Sequence, residues 1–343
     1  MIPSRDLLFQ LFGISCLQVT TAPFKGLERL MKMRHPRPLT LLGSLHCLGI
    51  ILLLLVPIAW VRGETLRIYY SASLNGNIDG CNCDMSPTAG LVKRAAFLRS
   101  REAPEPSLLL DAGDIFDAFP DEELAHNILE VYRELGYDFI AVGDQELSNG
   151  LDSLLEYRRD FPLVCHNLSV LVERRWEMFS PEPITLRLSG VKIGIIALLD
   201  PETISPESKE IGRSVRIHSP VSTAKRLVGD LVDRDATIVL LLYHGSHENA
   251  QRLIERCPDI DLVILGHEEL LIPAWSFGQT VIVSPGERGN WLGMLTIHSV
   301  GSEAIDITND FRLFSFQKDP DDPSVRSRIQ RYREMLRGRL LAN

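Results

Sequence analysis

From residue 64 onward, short runs rich in Val, Ile and Leu alternate with longer stretches in which apolar residues recur three and four positions apart. An uninterrupted apolar run suits a strand covered on both faces, whereas the three-and-four spacing suits a helix laid on a sheet. The pattern predicts strands over 66–70, 107–110, 139–142, 192–198, 237–242, 262–265 and 280–283. Helices are predicted over 91–100, 122–135, 151–157, 220–233 and 248–257. Such alternation marks a layered α/β domain, in which functional groups gather at the carboxyl ends of strands. At the end, Asp321-Asp322-Pro323-Ser324 followed by Val325, Ile329, Tyr332, Leu336 and Leu340 reads as a capped amphipathic helix within 317–343.

One stretch breaks the alternation. Residues 39–60, LTLLGSLHCLGIILLLLVPIAW, follow Lys25, Arg29, Lys32, Arg34 and Arg37 and precede Val61-Arg62-Gly63. Basic flank, apolar core and small-residue exit form an export signal, so residues 1–63 are expected to be a leader that places the rest in the periplasm or another extracytoplasmic space. Cleavage after Gly63 is the expectation. The run also reaches the roughly 20 residues that span a bilayer, so an uncleaved membrane anchor is the alternative.

Composition narrows the partners. The chain is 343 residues long and 45% hydrophobic, enough for a large core and far from a disordered composition. Of its 36 Lys and Arg, 7 lie in residues 1–63, and of its 45 Asp and Glu, 2 do, so the remainder carries a net charge of −14. Nucleic acid is therefore not an expected partner, since binding to it depends on clustered cations. Cys16 and Cys47 fall in the leader, leaving Cys81, Cys83, Cys165 and Cys257. Only Cys81 and Cys83 are close in sequence. Two thiols so spaced can ligate a soft metal, carry thiol chemistry, or form a passive disulfide.

Five segments end predicted strands: SASLNGN (71–77), LLLDAGDIFD (108–117), AVGDQEL (141–147), LLLYHGSH (240–247) and VILGHEE (263–269). In order and placement they resemble the blocks of calcineurin-like metallophosphatases. GVKIGIIAL (190–198), CPDIDLVILGH (257–267) and VIVSPGERGNWLGMLTI (281–297) are similar to the periplasmic 5'-nucleotidase, UshA-like branch. The resemblance covers 66–297. It implies a four-layer sandwich of two mixed β-sheets flanked by helices over 64–316, binding divalent metal and hydrolysing small phosphoesters. The chain ends after one further helix where the nucleotidases would begin a C-terminal substrate domain.

Carried over block by block, the resemblance implies that Asp114, Asp144, His244 and His267 hold one cation. At the other metal position the family's Asp and first His become Ser73 and Asn75, and its last His becomes Glu269, leaving the bridging Asp114 with Glu269 and, more weakly, Asn75 as ligands. One divalent cation is thus expected and a second is the open alternative, with Zn, Mn, Fe and Mg not distinguished. Gln145 stands where the family places a His that assists the leaving group. An amide cannot donate that proton, and a general acid contributes about 100-fold to 10,000-fold in rate.

Plainer readings exist for each residue. Asp114 could cap a helix, His244 and His267 could be satisfied core histidines, and Glu269 could be a solvated helix-start carboxylate. Cys165 and Cys257 read as buried small apolar residues. The function expected from the whole is an exported metal-dependent phosphoesterase of reduced activity. The alternative is a thiol, redox or metal-carrier protein that uses Cys81 and Cys83 on a scaffold that no longer hydrolyses phosphoesters. The stretch SPTAGLVKRAAFL (86–98) is similar to a group of UshA-like (seleno)proteins, which would make the two thiols the functional centre.

Overall fold

In the computed structural model, the structure describes residues 65–83, 87–101, 106–204, 211–300 and 304–342. The leader and its apolar run lie outside the described residues. Among the described residues, no helix is long and apolar enough to cross a membrane.

Two six-stranded sheets form the centre. In the first, β1 (Thr65–Ser71), β2 (Ser107–Asp111), β3 (Phe139–Ala141) and β4 (Leu163–Val164) run parallel. On the other side of β1, the antiparallel pair β14 (Trp291–Val300) and β15 (Ala304–Leu313) extends that sheet. In the second, β8 (Val191–Leu199), β10 (Ile238–Gly245), β11 (Leu262–His267) and β13 (Thr280–Pro285) are parallel. Antiparallel edge strands β7 (Ile184–Leu188) and β12 (Leu271–Phe277) bound it. A small antiparallel sheet joins β5 (Leu168–Val172), β6 (Arg175–Met178) and β9 (Val215–Ile217).

The sheets face each other across one apolar layer, where Ile68, Tyr70, Leu108 and Leu110 meet Ile193, Ile195, Leu240, Leu242 and Ile264. The outer face of the first sheet is covered by α1 (Gly90–Ser100), α2 (Glu122–Leu135), α3 (Gly150–Asp160) and α7 (Pro323–Ala342). Leu91, Ile128, Leu154, Val325 and Ile329 supply that contact. The outer face of the second carries α5 (Pro220–Asp233) and α6 (His247–Arg256), through Leu227, Leu231, Leu253 and Ile254. This order of helix, sheet, sheet, helix is the four-layer sandwich. Covering both faces explains why the central strands read as continuous apolar runs rather than alternating ones.

Local chemistry sets the helix ends. Asp121 accepts from the Leu124 amide at 2.9 Å to cap α2, and Gly136 ends it in the left-handed conformation. Asp322 accepts from the Val325 amide at 2.9 Å and so starts α7 one residue before Pro323. A further short helix, α4 (Ile211–Ser214), precedes β9.

Candidate metal centre

Four segments leave their strands at the same end of the sandwich. Asp114 follows β2 and Asp144 follows β3, both from the first sheet, while His244 lies in β10 and His267 closes β11, both from the second. One ligand atom from each of these residues lies within 4.8 Å of the other three. His244 Nε2 stands 3.2 Å from both Asp114 Oδ1 and Asp144 Oδ1, and His267 Nδ1 stands 3.3 Å from Asp144 Oδ1. The His244 side chain is 0% exposed and that of Asp114 3%, whereas Asp144 and His267 are 28% and 33% exposed. The cluster therefore has a sealed floor and an open side through which a small molecule can approach.

The imidazole of His244 has its orientation fixed. Its Nδ1 lies 2.8 Å from the Ala112 carbonyl, which can only accept, so Nδ1 carries a proton and Nε2 is the nitrogen directed at the two carboxylates, donating to them when protonated and free to ligate a cation when not. Burial alone would lower the His244 pKa, yet the Asp114 and Asp144 carboxylates hold it well above the usual value. Burial pushes the Asp144 carboxyl upward, but the adjoining His244 and His267 imidazoles more than reverse this and hold it low. His267 Nδ1 is buried and lacks an aligned hydrogen-bond partner. Two carboxylate oxygens and two imidazole nitrogens, one of them orphaned, suit a borderline divalent cation.

The backbone around the cluster is shaped to bring these atoms together. Asp114 and His267 have φ of 59° and 85°, and Ser73, Asn75 and Glu269 have φ of 48°, 53° and 58°. Side-chain-bearing residues rarely adopt this left-handed region, and such strain concentrates at functional sites. A Cβ on Gly143 would lie 2.4 Å from Asp114 Oδ1, and one on Gly266 would lie 2.4 Å from the Ala112 carbonyl oxygen. Only glycine lets these loops approach so closely.

Beneath the ligands, Glu146 joins the two loops of the first sheet. Its fully buried carboxylate accepts from the amides of Asp114 (2.9 Å), Ile115 (2.8 Å) and Gly143 (2.6 Å). Burial and the neighbouring Asp114 carboxylate raise its pKa to about 7. Asp111 anchors the same turn by accepting from the Gly113 amide at 3.0 Å, and is itself held by Ser71 Oγ at 2.5 Å and the Tyr132 hydroxyl at 2.9 Å. Buried Arg94 donates to that hydroxyl at 2.5 Å. The supporting role of Glu146 leaves no signature in the sequence, because its partners are backbone amides.

The remaining predicted residues form a second group beside the first. Gln145 donates its backbone amide to Asp114 Oδ1 at 3.1 Å and its side-chain amide to Asn75 Oδ1 at 3.0 Å. Asn75 in turn donates to Glu269 Oε1. Burial and an adjoining Glu287 carboxyl raise the Glu269 pKa to about 6. Glu269 is not among the four clustered ligands. Ser73 Oγ accepts from the His267 amide at 3.3 Å. Cys81 and Cys83 are joined in a disulfide, while Cys165 and Cys257 are free and buried. Burial pushes the Cys165 thiol up to about 12, leaving it inert.

No family model matches the chain. Among curated proteins, the trifunctional nucleotide phosphoesterase protein YfkN of Bacillus subtilis (strain 168) is 24% identical over 254 residues, covering 61% of this chain and 17% of that protein. The 5'-nucleotidase of Bos taurus is 22% identical over 279 residues, covering 72% of this chain and 47% of its own length. The chain thus spans less than half the length of either relative. Among solved structures, a 5'-nucleotidase precursor from Thermus thermophilus superposes with a TM-score of 0.67 at 19% identity, covering 80% of this chain and 59% of that one. The calcineurin-like phosphoesterase YfkN from Bacillus subtilis gives 0.64 at 20% identity, covering 79% and 97%. With its four layers and its ordered strand-end blocks, the chain has the fold of the metallophosphatases that include the 5'-nucleotidases and is similar in sequence to them.

Proposed function

We propose that the protein is an exported phosphoesterase that binds one divalent cation through Asp114, Asp144, His244 and His267 and hydrolyses nucleotides or other small phosphomonoesters slowly. The convergence of these four ligand atoms within 4.8 Å of one another carries the reading. When bound, the cation supplies positive charge that polarises a phosphoryl group. Asp144 and His267 face the open side, where an ester can reach the cation, while Asp114 and His244 are held from below by Glu146 and the Ala112 carbonyl. The Gln145–Asn75–Glu269 chain of hydrogen bonds takes up the ground of the family's other metal position, which supports a single cation. Gln145 can steady a phosphoryl oxygen through its amide but has no proton to give a leaving group, which supports slow turnover.

The test is metal content and phosphomonoesterase turnover measured on the same preparation. One cation per chain is expected, with turnover that chelation removes and metal restores. Asp114→Asn should lose both the cation and at least about 100-fold of the rate. Tight metal binding with no turnover of nucleoside monophosphates or an aryl phosphate would instead identify a metal carrier. Export is proposed from residues 1–63 and is checked by fractionating cells that produce the full chain.

A further inference from the structure

The disulfide between Cys81 and Cys83 lies outside the proposed cation site, and its setting is not that of a structural staple. It closes a loop with a single residue between the cysteines, and the shorter the closed loop, the less a disulfide restricts the unfolded chain. Cys83 is exposed and Cys81 half-buried. Cys81 is also held by its backbone, whose N–H and C=O each pair with Thr88 at 2.9 Å, so the fold keeps its place without the sulfur bridge. Asn82, between the two cysteines, accepts from Gln317 Nε2 at 3.2 Å. Asn82 and Gln317 stand on the wall of a cavity of about 350 Å³ that Pro87, Trp291, Phe314 and Phe316 also line. That volume lies within the roughly 300–1,000 Å³ of small-molecule pockets, and it is too small for a folded partner.

We infer that Cys81–Cys83 is an exchange-active disulfide and that the aromatic cavity beside it holds the body of a small organic thiol. The thiolate of the ligand attacks the exposed Cys83 Sγ, forming a mixed disulfide and breaking the Cys81–Cys83 bond. Cys81 leaves as a thiolate and takes a proton from water. A second thiol then attacks the ligand sulfur, forming the ligand's own disulfide and releasing Cys83, which is protonated in turn. Two thiols are oxidised and one protein disulfide is reduced, so electrons and protons balance without a further reagent. A ligand with an aromatic body is favoured because Trp291, Phe314 and Phe316 line the cavity with aromatic carbon.

The experiment reduces the native protein with benzyl mercaptan and with 2-mercaptoethanol, two thiols of similar acidity, following mixed-disulfide and dithiol masses with time. Benzyl mercaptan is expected to react at least about tenfold faster and to saturate. Phe316→Ala should remove that preference while leaving the 2-mercaptoethanol rate unchanged, with Trp291→Leu as a second variant should the first not fold. Equal rates for both thiols, or a disulfide that yields only in denaturant, would overturn the inference. A cysteine-containing peptide that reacts far faster than either small thiol overturns it too. Metal content is indifferent to all these outcomes, so failure here leaves the cation site standing, and the reverse also holds.

Discussion

Gln145 and Glu146 are neighbours with opposite fates, and together they set what the site can do. Gln145 reaches Asp114 through its backbone amide and donates its side-chain amide to Asn75, but its side-chain oxygen is buried without a partner. Restoring a titratable group there with Gln145→His should raise kcat by about tenfold or more without changing metal stoichiometry, because it returns a general acid while leaving the four ligands untouched. An unchanged kcat at full metal loading would show that the lost histidine is not what limits turnover. Glu146 faces inward and accepts from three backbone amides at 2.9 Å or less. Glu146→Ala strands those donors in a dry interior, at an expected cost of about 3 kcal/mol or more in denaturant unfolding. It should also weaken metal binding by about 10-fold to 100-fold, read by competition with a chromophoric chelator. Asp114, Asp144, His244 and His267 were legible from the sequence as ligand-type residues at the ends of predicted strands. The role of Glu146 was not, since a glutamate in a turn has many uses and its partners here are peptide groups.

At the level of elements, the buried parallel strands were legible and the edges were not. β2, β8, β10, β11 and β13 announce themselves because both faces are covered, leaving each with a run rich in Val, Ile and Leu. β12 carries Pro273 and shows most of its length to solvent, and β15 alternates Ile307 and Phe311 with Asp306 and Asp310, so neither reads as an apolar run. β14 contains Gly293, a weak strand former, because the Tyr70 ring occupies the space where its side chain would stand. The final helix α7 was legible in outline, with Val325 and Ile329 now seen buried against the first sheet's helices. Ile329→Ala should cost about 2–4 kcal/mol by thermal or denaturant unfolding, while Leu340→Ala, 78% exposed, should cost almost nothing. Equal effects from the two would mean that α7 does not pack as described.

Across the whole molecule, charge at the centre makes stability depend on acidity. In the metal-free protein, the lowered Asp144 pKa adds stability that is complete above the ordinary 3.8 and is lost as pH falls through the folded value. The raised His244 pKa adds stability that is complete below the ordinary 6.5 and is lost as pH rises through the folded value. Metal-free protein should therefore be most stable between those two ordinary values, and metal affinity should climb with pH as His244 surrenders its proton. Midpoints collected across the pH range, with and without chelator, check both statements, and a metal-free optimum well above 6.5 would contradict the first. The two sheets each contribute half of the ligand set, Asp114 and Asp144 from one and His244 and His267 from the other. A cation seated there would act as a clasp at one rim of the sandwich, its grip growing with the logarithm of free metal concentration. Stripping it should loosen that rim first, so amide exchange ought to quicken at the carboxyl ends of β2, β3, β10 and β11 while the opposite rim keeps its protection.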